Sequence, residues 1–220
     1  WARPENTSVN YLDETHYADF AAFAAAFAER YRGRVNDIII WNEPNVSFEW
    51  GQRAPDPAAY TELLKATYAR AHEKNPDVKI LAGALAPNLA PPNSTDAMND
   101  LEYLDKMYQA GAKDYFDTLA VHAYGWKAPA DEAPSPDRVN FRRTELLRDI
   151  MLKYGDGAKN VALHGIAARH YVEIWRRREK CGAHRRRLER PSALDQSGDA
   201  GGTHPKHNRR VRLVRENKLD

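Results

Sequence analysis

Two hydrophobic rhythms alternate along the chain as far as about residue 163. From His16 to Arg32, alanines and the aromatics Phe20, Phe23, Phe27 and Tyr31 recur at helical spacing, and Gly33 stands where a C-terminal cap belongs. Asp37 to Trp41 then carries the unbroken run Ile38-Ile39-Ile40, the pattern of a strand covered on both faces. A second helix is predicted from Asp56-Pro57, a capping residue followed by a first-turn proline. It runs through Tyr60, Leu63, Leu64 and Tyr68 to Lys74, where Asn75-Pro76 ends it. Val78 to Ala84 reads as the next strand, Leu101 to Ala110 as a helix stopped by Gly111, and Phe116 to Tyr124 as a third strand. Arg138 to Tyr154 is a helix closed by Gly155, and Val161-Ala162-Leu163 begins a fourth strand.

The four strands, centred near Ile40, Ala82, Val121 and Val161, recur about every 40 residues with a helix between each pair. That alternation specifies parallel βα units, as a barrel or a doubly wound sheet. No strand leads into a glycine-rich phosphate turn, which weighs against a nucleotide-binding sheet.

The strand 37–41 runs directly into Trp41-Asn42-Glu43-Pro44-Asn45. A carboxylic acid beside an amide at the mouth of a buried strand is where an α/β barrel keeps its chemistry. With Trp41 adjacent and a buried strand behind it, Glu43 has surroundings that favour a protonated carboxyl, as a proton donor near neutral pH requires. Pro44 fixes its own φ and stiffens the turn that aims Glu43. His122 and Tyr124 are two apart and share one side of their strand. Trp50 and Trp126 fall in loops just after strands, where flat apolar rings suit the faces of sugar rings, and Phe48 and Asn88 share that face. For each there is an ordinary alternative: a strand-ending turn for the Asn-Glu-Pro, a core imidazole and wall tyrosine, and capping tryptophans.

On these residues the chain resembles the retaining glycoside hydrolases with a (β/α)8 barrel, the superfamily of the family 5 cellulase-like and family 39 xylosidase-like enzymes. The resemblance implies an α/β fold, a partial (β/α)8 TIM barrel of about strands three to seven over residues 1–163, with Trp1-Ala2 near the end of strand three. It implies an O-glycosyl hydrolase of a β-linked oligo- or polysaccharide, with Glu43 as general acid/base and Asn42 bonded to the sugar hydroxyl next to the anomeric carbon. It further implies that His122, Tyr124, Trp126 and Trp50 line the substrate site, with no cofactor and no metal. Trp1 and Tyr11 would belong to the same face.

Retaining cleavage needs a second carboxylate about 5–5.5 Å from the first. The resemblance places it at the end of strand seven in an aromatic-x-Thr-Glu context, but this chain reads Val161-Ala162-Leu163-His164-Gly165-Ile166. The nucleophile is absent there. The next acid, Glu173, lies in Tyr171-Val172-Glu173-Ile174-Trp175 without that context. Codons for 161–166 read one base later permit Trp, two variable residues and Thr-Glu, so a shifted reading frame is expected from this point.

Charge divides the chain at the same place. Residues 1–162 carry 18 Lys+Arg and 24 Asp+Glu (18 − 24 = −6), and residues 163–220 carry 15 and 7 (15 − 7 = +8), which sum to the net +2. Arg176-Arg177-Arg178, Arg185-Arg186-Arg187 and Arg209-Arg210 make 164–220 a basic tail of low order, with Gly198, Gly201 and Gly202 in a polar stretch. It lacks the aromatics and period of an ordered nucleic-acid module. His184, His204 and His207 have one cysteine, Cys181, for company, a poor metal set. No stretch approaches the roughly 18 apolar residues of a membrane span. The chain opens at Trp1 without a basic-then-apolar leader, so any secretion signal is expected to precede it. Two further readings stay open: a non-catalytic carbohydrate-binding remnant, and a basic polyanion-binding protein.

Overall fold

Capping chemistry starts the longest helix where the sequence places it. Asp56 Oδ1 accepts from the N–H groups of Ala58 (2.9 Å) and Ala59 (3.0 Å), and Pro57 takes the first helical position, where no N–H partner exists to be lost. Such a cap contributes about 1 kcal/mol. The computed structural model describes residues 3–7, 10–164 and 211–212. In chain order these form α1 (Tyr17–Arg30), β1 (Asp37–Asn42), α2 (Pro57–Lys74), β2 (Lys79–Leu85), α3 (Asp100–Gln109), β3 (Thr118–His122), α4 (Thr144–Lys153), β4 (Asn160–His164) and β5 (Val211–Arg212).

All neighbouring strands pair in parallel, and their spatial order follows the chain, β1-β2-β3-β4-β5. A doubly wound sheet reverses its order part-way. The described strands do not, and they fit an arc of a (β/α)8 barrel. Val211 and Arg212 pair with Val161 and Ala162, so two residues of the basic segment extend the sheet. The rest of that segment, with Glu173 and the arginine runs, lies outside the described residues. No described helix is long and apolar enough to cross a membrane.

The sheet has two unlike faces. Ile40, Ile80, Ala82, Leu119, Val121, Val161 and Leu163 join one large cluster with residues of all four helices, among them Tyr60, Leu64, Leu104, Met107, Leu147 and Met151. The alternate positions, Leu81, Ala84, Ala120 and Ala162 with Ile39 against them, form a second and much smaller cluster drawn from strands alone. Period-two alternation therefore puts the helices on one face and small side chains on the other. Continuing it, His122 and His164 follow Ala120 and Ala162 onto the face that no described helix covers.

Two elements depart from their sequence pattern. In α1 the buried stripe is Tyr17, Ala21, Ala24, Ala25 and Ala28, while Phe23 is exposed. Alanines let α1 lie close against α2, and Asn75 Nδ2 donates to the Ala28 carbonyl across the same gap (3.0 Å). The helix expected from Arg138 begins as a 3-10 turn at Phe141–Arg143 and becomes α4 only at Thr144. The preceding residues are engaged in fastening a loop. Asn140 Nδ2 donates to the Ala133 carbonyl (2.7 Å), and the Arg143 guanidinium donates to the carbonyls of Ser135 and Pro136 and to both carboxylate oxygens of Asp100. Both members of this ion pair are buried, and burial outweighs the arginine in pushing the Asp100 carboxyl above its ordinary range. The pair joins the loop after β3 to the start of α3.

Candidate active site

β1 is regular through Ile40 and then changes character. Trp41 has φ 71 and Glu43 has φ 43, both in the left-handed region that bulky side chains avoid. Such conformations cost on the order of 1–3 kcal/mol each and persist where the surroundings enforce them. The surroundings of Trp41 are explicit. Its ring leaves the sheet for the helix layer, tilted against Phe20 at 5.9 Å and edge-on to Trp50 at 5.6 Å, and its Nε1–H donates to the Glu49 carbonyl at 2.8 Å.

Beyond Glu43, the amide of Asn45 ties the loops together. Its Nδ2 donates to the carbonyls of Ala86 (2.8 Å) and Met98 (3.1 Å), and its Oδ1 accepts from the Ala86 N–H (2.8 Å). The loop carrying Glu43 is thereby fixed to the loop after β2. The Glu43 N–H itself donates to the Ala84 carbonyl at 3.1 Å.

Glu43 Oε1 lies 2.5 Å from His122 Nδ1, and His122 Nε2 lies 3.2 Å from His164 Nδ1. With Glu43 ionised, His122 donates from Nδ1. Its Nε2 then accepts from His164 Nδ1–H if the ring is neutral. His122 is buried, and 16% of the Glu43 side chain is accessible. The two imidazoles stack with 5.4 Å between ring centroids, a consequence of the register that sets His122 opposite His164. Tyr124 lies 5.0 Å from the His122 ring, and burial first, then the Glu43 charge, raises its phenol above the ordinary range. Trp126 follows at 6.4 Å from Tyr124, edge-on and 78% exposed.

Of the residues singled out from the sequence, Glu43, His122, Tyr124 and Trp126 thus form one connected row. Asn42 is exposed at the end of β1, and its amide has no hydrogen-bond partner among the described residues. Trp50 is a correction. At 1% exposure it is enclosed between Trp41 and Tyr60, so its ring has no face to offer a sugar. Its position after a strand looked like a rim site, but the left-handed turn at Trp41 folds this loop back onto the helices. Asn88 is engaged within its own loop, donating to the carbonyls of Ala86 and Met98. Tyr11 lies under Arg53, 4.3 Å from guanidinium to ring centroid, while Phe48 is exposed. Trp1, Glu173, His204 and His207 lie outside the described residues.

Sequence reasoning passed over His164, Asn45 and Tyr60. His164 stands at the end of the fourth strand, but only the pairing of β3 with β4 sets it opposite His122. Among the described residues, no group of three or more His, Cys, Asp or Glu is arranged to hold a metal ion.

No protein-family model matches the chain, and no curated protein does. Solved structures similar to it include a monomeric beta-xylosidase from Caulobacter crescentus CB15, at 21% identity and TM-score 0.45 over 67% of this chain and 30% of that one. A family 39 glycoside hydrolase from the gut symbiont Bacteroides cellulosilyticus WH2 matches at 22% identity and TM-score 0.46 over 68% and 30%. A glucosidase from Croceicoccus marinus matches at 17% identity and TM-score 0.47 over 75% and 34%. The chain spans about a third of the length of these structures. At such scores the likeness carries no inference about what this chain does.

Proposed function

We propose that this chain is the acid/base portion of a retaining glycoside hydrolase acting on a β-linked oligo- or polysaccharide. The observation that carries the reading is the 2.5 Å contact between Glu43, at the carboxyl end of a parallel strand, and the buried His122 two strands away. In a complete enzyme of this kind, Glu43 in its protonated form gives its proton to the glycosidic oxygen as the anomeric carbon passes from that oxygen to a second carboxylate, which the end of β4 does not supply here. In the second half-reaction it takes a proton from the attacking water. His122 holds the carboxyl by the oxygen it does not use. Asn42, exposed beside Glu43, would bond the neighbouring sugar hydroxyl, and the exposed Trp126 would lend an apolar face to a sugar ring.

The nucleophile belongs to a position this chain fills otherwise. β4 ends in His164, and Glu173 is the next carboxylate along the chain. A shifted reading frame from about residue 161, with 164–220 as its basic product, accounts for both the lost carboxylate and the change in charge. The coding DNA decides this: the shifted frame must contain Thr-Glu followed by further βα pattern. The arc would then be completed to a barrel by strands outside residues 1–163.

Hydrolysis of aryl β-glycosides by the full chain, compared with Glu43→Gln, tests the function. A turnover that falls about 10²–10⁴-fold in the variant supports general acid catalysis by this residue. The imidazole at the end of β4 favours a second reading, a non-catalytic carbohydrate-binding remnant. Saturable oligosaccharide binding with no turnover in either protein would establish that alternative.

A further inference from the structure

Tyr60 is a fully buried polar group near the candidate site that the proposed chemistry leaves unused. Its ring is on α2, in the helix layer, but its hydroxyl reaches into the sheet. There it donates to the Ile40 carbonyl at 2.6 Å and accepts from the Gly83 N–H at 2.5 Å. With Ile40 opposite Ala82, a regular parallel ladder would bond the Gly83 N–H directly to the Ile40 carbonyl. One phenolic oxygen is therefore spliced into the β1–β2 ladder.

The ladder resumes at Glu43 N–H to Ala84 carbonyl, with Asn42 still opposite Ala84, so no residue is gained or lost across the splice. The slack is taken up in conformation. Trp41, the residue directly after the parted bond, turns left-handed, as Glu43 does two residues on, and swings its ring out to Phe20 and Trp50. Position 83 must be glycine for this to work. A Cβ there would stand 2.9 Å from the Tyr60 hydroxyl, 3.1 Å from Pro44 Cδ and 3.2 Å from the Ile40 oxygen. Tyr60 is fully enclosed, with Trp50 and Tyr103 packed against its ring, so a Cβ at position 83 could be accommodated only by forcing the hydroxyl out of its place in the ladder. Burial also pushes its phenol far above the ordinary range, keeping it a neutral donor and acceptor.

We infer that Tyr60 is a positioning residue for Glu43: its hydroxyl parts the β1–β2 ladder, and the resulting left-handed turn at Trp41 delivers the carboxyl to His122. The inference rests on the glycosidase reading only for its kinetic consequence. Without the hydroxyl, either the Ile40–Gly83 bond closes and straightens the strand end, or two buried backbone groups are left unpaired. In both cases Glu43 leaves its seat by a distance on the order of 1 Å, enough to lower a rate about 10²-fold.

The test uses Tyr60→Phe in the full chain, with two readouts. Imidazole nitrogen and proton NMR reports the His122–Glu43 hydrogen bond whether or not the protein turns over. We expect its low-field proton in the wild type and its loss in the folded variant. Kinetics on a dinitrophenyl glycoside, which needs little acid assistance, and on a methyl glycoside, which needs much, reports the position of the acid. We expect a loss of about 10²-fold on the methyl glycoside and a far smaller one on the dinitrophenyl substrate. A purely structural tyrosine would lower both rates equally and leave the NMR signal in place, and that result overturns the inference. If the wild type shows the His122 signal but no turnover, the glycosidase reading fails while the NMR comparison still decides the role of Tyr60. If Tyr60→Phe does not fold, Gly83→Ala displaces the hydroxyl from the strand side and carries the same expectations.

Discussion

The two faces of the sheet contrast in what they are built from. The helix side is broad, aromatic and interlocked, running from Phe20 through Trp41, Trp50 and Tyr60 to Tyr103 by successive ring contacts. The other side is small and aliphatic, little more than Leu81, Ala84, Ala120 and Ala162, and its upper end is titratable at Glu43, His122 and His164. Cohesion is concentrated on one face and protonatable chemistry on the other. Tyr60 crosses between them, and Trp41 is the residue transferred from the second face to the first.

Substitutions can sharpen or break this contrast. The largest expected effect is kinetic: Glu43→Gln lowers glycoside hydrolysis by about 10²–10⁴-fold while the melting temperature stays near the wild-type value. A large drop in melting temperature would mean that the residue belongs to the cohesive face after all. Next is Arg143→Met, which leaves Asp100 buried without its partner and destabilises by about 3–5 kcal/mol in denaturant unfolding. Rates in the surviving folded fraction should change through the loop after β3 and not through Glu43.

The two tryptophans make the most direct comparison. Trp50→Ala empties a buried site and costs about 3–5 kcal/mol of stability. Trp126→Ala leaves stability within about 0.5 kcal/mol and weakens oligosaccharide binding several-fold, read by calorimetric titration. Equal stability losses at the two positions would erase the distinction between core ring and rim ring.

A last contrast appears in alkali. Tyr17 is pushed up to about 12 by burial, and Tyr60, Tyr103 and Tyr108 are raised as well, the last partly by its hydrogen bond to Asp156. An unfolded tyrosine ionises near about 10, so above that pH the unfolded chain has shed protons that the folded chain keeps. The contribution is complete below pH ~10 and declines as pH rises through the folded values, so the chemical-denaturation midpoint should fall over that window. A midpoint that stays level there would place these phenols in contact with solvent.

Much of the architecture was legible because each element had its own local reason: a β-branched run for β1, Asp-Pro for α2, glycine stops after α3 and α4. Glu43 was legible for the same reason, as an acid at the end of such a run. Three things were not. Trp50 follows a strand as a rim residue would, yet the backbone turn at Trp41 that buries it depends on a hydroxyl from a different element. The alanine stripe of α1 was hidden by its own aromatics, because helical period alone does not say which side of a helix meets its neighbour. His122 and His164 are far apart in the chain, and only strand register brings them together.

The Asn45 seam has a consequence for how this site would be read in solution. A carboxamide neither gains nor loses a proton across the accessible acidity range, so the clasp between neighbouring loops holds its shape while carboxyl and imidazole groups change charge around it. A bell-shaped rate profile would then carry no contribution from this clasp loosening.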